Sequence, residues 1–230
     1  MKMPDHDVIY QEQASMYDRL ISKQKSVIPF LEKIHSGKGA DIVDIGAGTG
    51  RLTVPLAKVA RSIVALDESA GMLAVTAEKL KAEGLDHWQV QVADHRRLPV
   101  EDDQADLVVA GWSICYLASS NHPTWRKNLS QIIGEIRRVL KPGGTVVIFE
   151  TMGTATEEPD PPDFLRRYYR ALEEEYGFSH SVIRTDYTFR DLDEAEELTR
   201  FFFGDEVADK VRKNGWVQVP EWAGVWWRSW

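Results

Sequence analysis

Val43-Asp44-Ile45-Gly46-Ala47-Gly48-Thr49-Gly50-Arg51 is the stretch of this 230-residue chain on which the fold prediction rests. The apolar residues from position 40 onward predict a buried strand, and Leu52, Leu56 and Val59 predict a short helix after the turn. Glycines at a strand-to-helix turn permit positive φ and let a ligand approach the backbone closely. Since the helix N-terminus offers unpaired N–H groups and the positive end of a dipole, the turn suits a carboxylate or a phosphate.

The spacing of the glycines and the acid ahead of them distinguish two classes of ligand. A dinucleotide site prefers G-x-G-x-x-G, whereas Gly46, Gly48 and Gly50 form G-x-G-x-G with Asp44 two residues ahead. An acid is unfavourable beside a pyrophosphate, but it can accept hydrogen bonds from an ammonium group, directly or through water. The turn therefore favours an amino-acid moiety, and an NAD(P)-type oxidoreductase is the alternative within the fold.

Strands and helices alternate along residues 40–150. Strands are predicted at 40–45, 62–66, 87–93, 105–110 and 145–149. The helix before the fifth strand has apolar residues at helical spacing, namely Leu129, Ile132, Ile133, Ile136, Val139 and Leu140. Lys141-Pro142-Gly143-Gly144 ends it, because proline cannot continue a helix. This rhythm predicts an α/β fold, Rossmann-like and doubly wound, with a mostly parallel sheet and helices on both faces.

The rhythm changes after Glu150. Residues 151–163 are rich in proline, glycine and acids and predict a loop. Further elements are predicted as helices at 163–176, 191–203 and 205–213 and strands at 181–189 and 224–228. The two strands are candidates for the sixth and seventh of the sheet.

Composition limits the classes of partner. The formal net charge of −8 disfavours nucleic acid, because a duplex-binding surface is normally basic. A single cysteine, Cys115, excludes an internal disulfide and a cysteine-built metal site. Residues 1–10 lack the apolar region of a signal peptide, and no run approaches the ~18 apolar residues that span a bilayer. We expect a cytoplasmic protein without a metal or a membrane partner, and both a monomer and a homodimer are compatible with the sequence.

Several motifs together resemble one family, the class I S-adenosylmethionine-dependent methyltransferases. Residues 44–50, Asp-Ile-Gly-Ala-Gly-Thr-Gly, are similar to the first signature of that family. Asp67-Glu68-Ser69 with Met72 resembles the ribose-binding acid and the apolar residue beneath adenine. Val92-Ala93-Asp94 resembles the position whose acid meets the adenine amino group, and residues 140–144 resemble the turn before the fifth strand. The resemblance covers residues 10–150 and implies a seven-stranded sheet with an antiparallel seventh strand.

The resemblance also implies S-adenosylmethionine as the cofactor, and methyl transfer as the activity. We expect a single methyltransferase domain over 1–230, with an N-terminal helical lid at 1–37, a cofactor-binding core at 38–150 and substrate-side elements with the last strands at 151–230. A non-catalytic module that binds S-adenosylmethionine or S-adenosylhomocysteine is the alternative from another functional class.

The candidate cofactor residues follow from these motifs and from the strand ends. In open α/β sheets ligands bind at the carboxyl ends of the strands, which brings in His95 after Asp94 and Trp112 after the fourth strand. Tyr10 and Tyr17 predict a segment that folds over the cofactor. The full set is Tyr17, Asp44, Gly46, Ala47, Gly48, Gly50, Asp67, Glu68, Met72, Asp94, His95 and Trp112.

The acceptor side is less specified. Acceptor contacts are predicted for Trp112, Tyr116, His122 and Tyr168, in an enclosed and partly aromatic pocket that also involves the 164–172 helix. Such a pocket, with the acidic net charge, favours a small-molecule acceptor. No N-P-P-Y-like run follows the fourth strand, which argues against an amino-group methylase of DNA bases or glutamine. No catalytic residue is assigned, although strand-end position makes His95, Tyr116, His122 and Glu150 candidate bases.

Overall fold

The computed structural model describes residues 4–230, and helices separate the first five strands except between the third and the fourth, which a loop connects. The helices are α1 (His6–Glu12), α2 (Ala14–Ile21), α3 (Ile28–Ile34), α4 (Thr53–Ala57), α5 (Ala70–Ala82), α6 (Cys115–Ala118), α7 (Trp125–Val139), α8 (Asp163–Glu174), α9 (Leu192–Phe203) and α10 (Asp205–Asn214). The strands are β1 (Asp41–Ile45), β2 (Ser62–Asp67), β3 (Trp88–Val92), β4 (Ala105–Gly111), β5 (Leu140–Thr154), β6 (Ser179–Arg184), β7 (Tyr187–Thr188), β8 (Gln218–Val219) and β9 (Glu221–Ser229). Of the expected lid at 1–37, residues 1–3 lie outside the described range.

Seven strands form one sheet in the order β3-β2-β1-β4-β5-β9-β6. The strands β1 to β5 pair in parallel, whereas β9 runs antiparallel to both of its neighbours, β5 and β6. This confirms the Rossmann-like, mostly parallel sheet expected from the sequence. Because β2 and β4 flank β1 on opposite sides, the winding direction reverses there and leaves room for a ligand at the carboxyl ends.

Two apolar layers cover the sheet, and β5 supplies both. Val146 and Ile148 pack into the layer that contains α7 and α8, while Val147 and Phe149 pack into the layer that contains α3 and α4. The split follows from the two-residue period of a strand, whose successive side chains point to opposite faces.

A third, smaller apolar cluster lies outside the two sheet layers. It joins Leu20 of α2 to Ala155 beyond β5, to Tyr187 of β7 and to Leu198 of α9. The antiparallel strands β7 and β8, which α9 and α10 separate in the chain, form their own two-stranded sheet within this cluster. The N-terminal helices are thereby connected to the segment that follows β5. Across residues 4–230, no helix is long and apolar enough to cross a bilayer.

Several predicted boundaries were wrong. The loop predicted at 151–163 begins later, because β5 continues to Thr154, where it pairs with Glu221 of β9. The predicted helix residue Leu140 starts β5, and Lys141–Gly144 forms an irregular extension of that strand. The strand predicted at 181–189 is two strands, β6 and β7. Asp186 turns the chain between them by accepting hydrogen bonds from Arg184 Nε and from the backbone N–H of Glu221.

Two glycines differ in the space around their Cβ positions, and this difference gives a stability prediction. A Cβ at Gly224 would lie 2.3 Å from the ring of Trp226, which is fully buried and stacks on His180 at 4.4 Å. We expect Gly224→Ala to lower the free energy of unfolding by roughly 1–3 kcal/mol, as overpacking does. Gly134 lies in α7 with open space at its Cβ, so Gly134→Ala should stabilise by roughly 0.5–1 kcal/mol. Urea denaturation measures both, and equal effects of the two substitutions would contradict the packing argument.

Candidate active site

A crevice with a cavity volume of about 180 Å³ lies at the carboxyl ends of β1, β2 and β4. The residues predicted from sequence that line it are Tyr17, Gly46, Gly48, Asp67, Glu68, Met72, His95, Trp112 and Tyr116. The crevice therefore brings together residues of the glycine turn, the end of β2 and the end of β4.

The glycine turn lies tightly against the segment after β4. Gly46 and Gly48 have φ values of 69° and 54°, in the region that glycine adopts without steric cost. A Cβ at Gly46 would lie 2.2 Å from the Cβ of Ser113. Ser113 is fixed in turn, since its Oγ donates a 2.9 Å hydrogen bond to the carbonyl of Ile45. Only a glycine can occupy position 46 in this arrangement.

Asp44 is buried beneath the turn with one oxygen unused. Its Oδ2 accepts a 2.6 Å hydrogen bond from Thr53 Oγ1, while its Oδ1 has no partner among the described residues. Burial raises the pKa of Asp44 to about 7. A carboxyl group in this state is suited to accept hydrogen bonds from a cation that enters the crevice, which would also restore its ionised form.

Asp67 closes the other side of the turn from the end of β2. Its two oxygens accept backbone hydrogen bonds from Gly48 N–H at 2.9 Å and Ser69 N–H at 2.8 Å. Because each carboxylate oxygen has two lone pairs, the carboxylate retains capacity for ligand hydroxyl groups. Asp67 lines the crevice, so that capacity is available to a ligand.

His95 and Asp94, neighbours in sequence, lie in different surroundings. His95 lines the crevice and is buried, and burial lowers its pKa to about 4, so the ring is neutral at pH 7. Its Nδ1 has no partner among the described residues. Asp94 is outside the crevice lining and pairs with Arg96, whose Nε donates to it at 2.9 Å.

The end of β4 holds an aromatic wall. Trp112 has a positive φ of 55°, a conformation that costs energy for a residue with a large side chain. Its ring stacks on Phe149 at 5.9 Å, and the guanidinium of Arg51 lies 3.6 Å from the ring centroid. These contacts fix the orientation of the indole at the crevice.

The N-terminal helices complete this wall. Tyr10 of α1 makes a 2.5 Å hydrogen bond between its hydroxyl and that of Tyr116. The rings of Tyr10 and Tyr17 meet edge to face, with centroids 5.3 Å apart. The crevice thus has a polar side at the glycine turn and an aromatic side formed by three separate segments of the chain.

The remaining predicted residues lie away from the lining. Ala47 and Gly50 belong to the turn but do not line the crevice. His122 is partly buried and bonds Thr124. Tyr168 is fully buried, and its hydroxyl donates to Glu150 Oε1 at 3.3 Å. Helix α8 packs in the core, so α1 and α2 supply the aromatic wall in its place.

Some lining residues were not among the site residues predicted from sequence. They are Gln11, Ser69, Gly111, Ser113 and Leu117, together with Tyr10, which the sequence predicted only as part of the segment that folds over the cofactor. Ser69 and Ser113 adjoin predicted residues, and extending the strand-end rule by two positions finds them. Tyr10 and Gln11 belong to the crevice lining because α1 packs on α5, where Ser69 Oγ donates to the carbonyl of Tyr10 at 2.8 Å. Within residues 4–230, no cluster of three or more His, Cys, Asp or Glu side chains is arranged to hold a metal ion.

Comparison with known proteins gives one consistent family. A family model described as a methyltransferase domain matches residues 43–148. A demethylmenaquinone methyltransferase of Anoxybacillus flavithermus is 28% identical over 225 residues, which cover 92% of this chain and 86% of that protein. The enzyme of the same description from Bacillus subtilis is 33% identical over 135 residues, covering 57% and 52%. The solved structure of an S-adenosylmethionine-dependent methyltransferase from Aquifex aeolicus matches with a TM-score of 0.60 at 16% identity, covering 93% and 96%. It shares the fold.

Three carboxyl groups are buried at this edge of the sheet, and they set a pH dependence. Burial raises the pKa of Asp44 and Glu150 to about 7, and that of Glu221 to about 8, from ordinary values of 3.8 and 4.5. The unfolded chain ionises near those ordinary values, so unfolding releases protons between about pH 4 and pH 8 and stability falls as pH rises through that range. The neutral His95 opposes this trend only below its ordinary pKa of 6.5.

We therefore expect the urea midpoint of the ligand-free protein to fall between about pH 6.5 and pH 8.5. Glu150→Gln keeps the shape of the side chain and removes its titration, so the fall should be smaller in this variant. Glu175→Gln, at an exposed position of the chain, serves as the control and should follow the wild type. An identical fall in wild type and Glu150→Gln would show that Glu150 does not contribute.

Proposed function

Because the chain is a class I S-adenosylmethionine-dependent methyltransferase, we propose that it methylates a small, planar ring compound bound in the aromatic half of the crevice. One observation carries the proposal. A single crevice joins the polar side, at Gly48 and Asp67, to the aromatic side, at Trp112 and Tyr116. A cofactor on the first side would face an acceptor on the second.

The described residues fit S-adenosylmethionine. Asp44, with its unused buried oxygen, would hold the ammonium group, and the turn from Gly46 through Ala47 and Gly48 to Gly50 would hold the carboxylate. Asp67, with Glu68 beside it, would accept the ribose hydroxyls, and Met72 and His95 would contact the adenine, with Tyr17 covering the ligand. When bound, the cofactor supplies a methyl group that its sulfonium has already activated.

The contribution of the chain is then mainly alignment. Holding two reactants in the attack geometry replaces a bimolecular encounter by an intramolecular one. Trp112, fixed by Phe149 and Arg51, and Tyr116, fixed by Tyr10, would orient the acceptor. Their rings would also keep water away from the reacting atoms.

Two observations support a planar ring compound as the acceptor. Aromatic rings pack well against rings in offset or edge-to-face geometry, and Tyr10, Tyr17, Trp112 and Tyr116 all line the crevice. The relatives named demethylmenaquinone methyltransferases carry the name of a ring compound. We assign no ligand contacts to Asp94, His122 and Tyr168, because other residues of the fold engage their side chains.

We propose that residues 4–37 act as a lid over a core at 38–150, with 151–230 completing the acceptor side. The lid is attached by the hydrogen bond from Ser69 Oγ to the Tyr10 carbonyl and by the Tyr10–Tyr116 contact.

We also propose a cytoplasmic location, which the lone and partly buried Cys115 supports. The net charge of −8 supports a small molecule, and no nucleic acid, as the partner.

The cofactor assignment predicts a binding result. Asp67→Ala should weaken S-adenosylhomocysteine binding by roughly 1–3 kcal/mol, because hydrogen bonds to a charged acceptor are lost. Asp102→Ala removes an exposed carboxylate that pairs with Arg138 and should bind like the wild type. Isothermal titration calorimetry measures both, and NAD should give no heat. Unchanged affinity in Asp67→Ala would refute the role of Asp67.

In the same complexes, amide exchange over residues 4–21 should slow, as expected for a lid.

Turnover tests the function itself. Wild-type protein is incubated with S-adenosylmethionine and a panel of small phenols, dihydroxynaphthalenes, carboxylic acids and amines, and S-adenosylhomocysteine is quantified above background hydrolysis. We expect turnover of planar ring members and none of aliphatic amines. Trp112→Ala should lose most of this activity while still binding S-adenosylhomocysteine. A protein that binds the cofactor and turns over no member would favour the non-catalytic alternative.

A further inference from the structure

Arg51 is a cation without a carboxylate partner among the side chains that the structure describes. Its side chain is partly buried, its guanidinium lies on the ring of Trp112, and its Nη2 donates to Gln24 Oε1. No carboxylate oxygen of the described side chains lies within 4.0 Å of the guanidinium. Taking an arginine out of water without a counter-charge is costly. The position therefore calls for an anionic group that the chain itself does not supply.

Glu221 is a buried carboxyl group near Arg51 that lacks a hydrogen-bond partner for one of its oxygens. It is buried at the start of β9, its Oε1 accepts a 3.4 Å hydrogen bond from Thr151 Oγ1, and its Oε2 has no partner among the described residues. Burial raises the pKa of Glu221 to about 8, and the charge of Arg51 acts against this shift. Gln24, which accepts the hydrogen bond from Arg51, donates to Thr185 Oγ1 at 2.9 Å, and the Thr185 N–H donates to the Glu221 carbonyl at 2.8 Å. Arg51 and Glu221 are thus neighbours through Gln24 and Thr185, yet no ion pair joins them.

This separation distinguishes a ligand site from a structural ion pair. A pair that tied β9 to the glycine turn would bring nitrogen and oxygen into hydrogen-bond contact, since only close geometry compensates desolvation. The cluster also adjoins the crevice, because Arg51 contacts Trp112, which lines it. Tyr17, which lines the crevice as well, and Tyr187 are close enough for Arg51 to influence their pKa values.

We propose that Arg51 and Glu221 form the recognition site for an ionisable hydroxyl group, a phenol or an enol, of the acceptor. The assignment rests on the proposed function and deepens it. Glu221 accepts the proton of the hydroxyl, and Arg51 holds the resulting oxyanion. The electron pair of the oxyanion, directly or through the conjugated ring, forms the new bond to the methyl carbon. The bond between that carbon and sulfur breaks, and its electrons remain on sulfur as the neutral thioether.

The surroundings of Glu221 suit a base that works near neutral pH. A general base is most efficient when its pKa lies near the working pH, and the pKa of Glu221 is raised to about 8. The charged and titratable groups that act on this cluster are Arg51 after the glycine turn, Tyr17 of α2, Asp186 and Tyr187 at β7, and Tyr169 of α8.

The test uses full-length protein saturated with S-adenosylhomocysteine and two probes. The first probe is 1,4-dihydroxynaphthalene, kept reduced, and the second is 1,4-dimethoxynaphthalene, which has the same ring without ionisable hydroxyls. Binding is followed by tryptophan fluorescence. Arg51→Gln and Glu221→Gln are compared with Arg126→Gln and Glu175→Gln, an exposed arginine–glutamate pair joined at 2.7 Å elsewhere on the surface. Calorimetry with S-adenosylhomocysteine verifies that each variant has an intact cofactor site.

We expect Arg51→Gln and Glu221→Gln to weaken binding of the dihydroxy probe roughly tenfold to a hundredfold, as the loss of a charged hydrogen bond implies. Binding of the dimethoxy probe should be weak in all proteins and should not change. Arg51→Lys, which keeps the charge, should restore part of the affinity. In turnover assays with the dihydroxy probe, Glu221→Gln should lose the rise of kcat with pH that the wild type shows.

Three results would overturn the inference, and they separate it from the proposed function. Wild-type affinity for the dihydroxy probe in Arg51→Gln and Glu221→Gln would exclude a role for the pair. Turnover of ring members without hydroxyls would keep the proposed function and remove the hydroxyl site. Cofactor binding with no binding or turnover of any hydroxyl-bearing ring would exclude phenols and enols as acceptors.

Discussion

The contact between Gly46 and Ser113 is the constraint on which the site depends. Because a Cβ at position 46 would lie 2.2 Å from that of Ser113, the glycine turn and the segment after β4 share one space. Ser113 is held there by the carbonyl of Ile45 at the end of β1. Because of this contact, the backbone at the end of β1 and the indole of Trp112 are held on either side of the crevice.

The carboxyl edge of the sheet also contains buried carboxyl groups with unsatisfied oxygen atoms. Asp44, Glu150 and Glu221 are buried, and each has one oxygen without a partner among the described residues. Buried polar atoms without hydrogen bonds cost free energy. Proteins keep such groups where ligands satisfy them, and two of the three lie where the cofactor and the acceptor are proposed to bind.

The sequence predicted the parallel half of the fold well, because its signals are local. β1, β2, β4 and residues 145–149 of β5 are largely apolar runs, whereas β3 alternates apolar and polar residues. Asp44 and Asp67 lie at the carboxyl ends of β1 and β2, just before the turns that follow. The aromatic wall was predicted only in part. Trp112 and Tyr116 follow a strand, whereas the docking of Tyr10 depends on a hydrogen bond to Ser69 of another element. The Arg51–Glu221 cluster joins positions far apart in sequence, and no local pattern marks either residue as part of a site.

The position of β9 has a consequence for the order in which the molecule can be completed. It lies between β5 and β6, although the chain makes both of those strands first. A growing chain that has reached β8 exposes an open edge on β5, and β6 has no strand to pair with, a state prone to wrong associations. Insertion of residues 221–229 closes that gap and places Glu221, at the start of β9, opposite Thr154 at the end of β5. The seven-stranded sheet is therefore continuous only once β9 is in place.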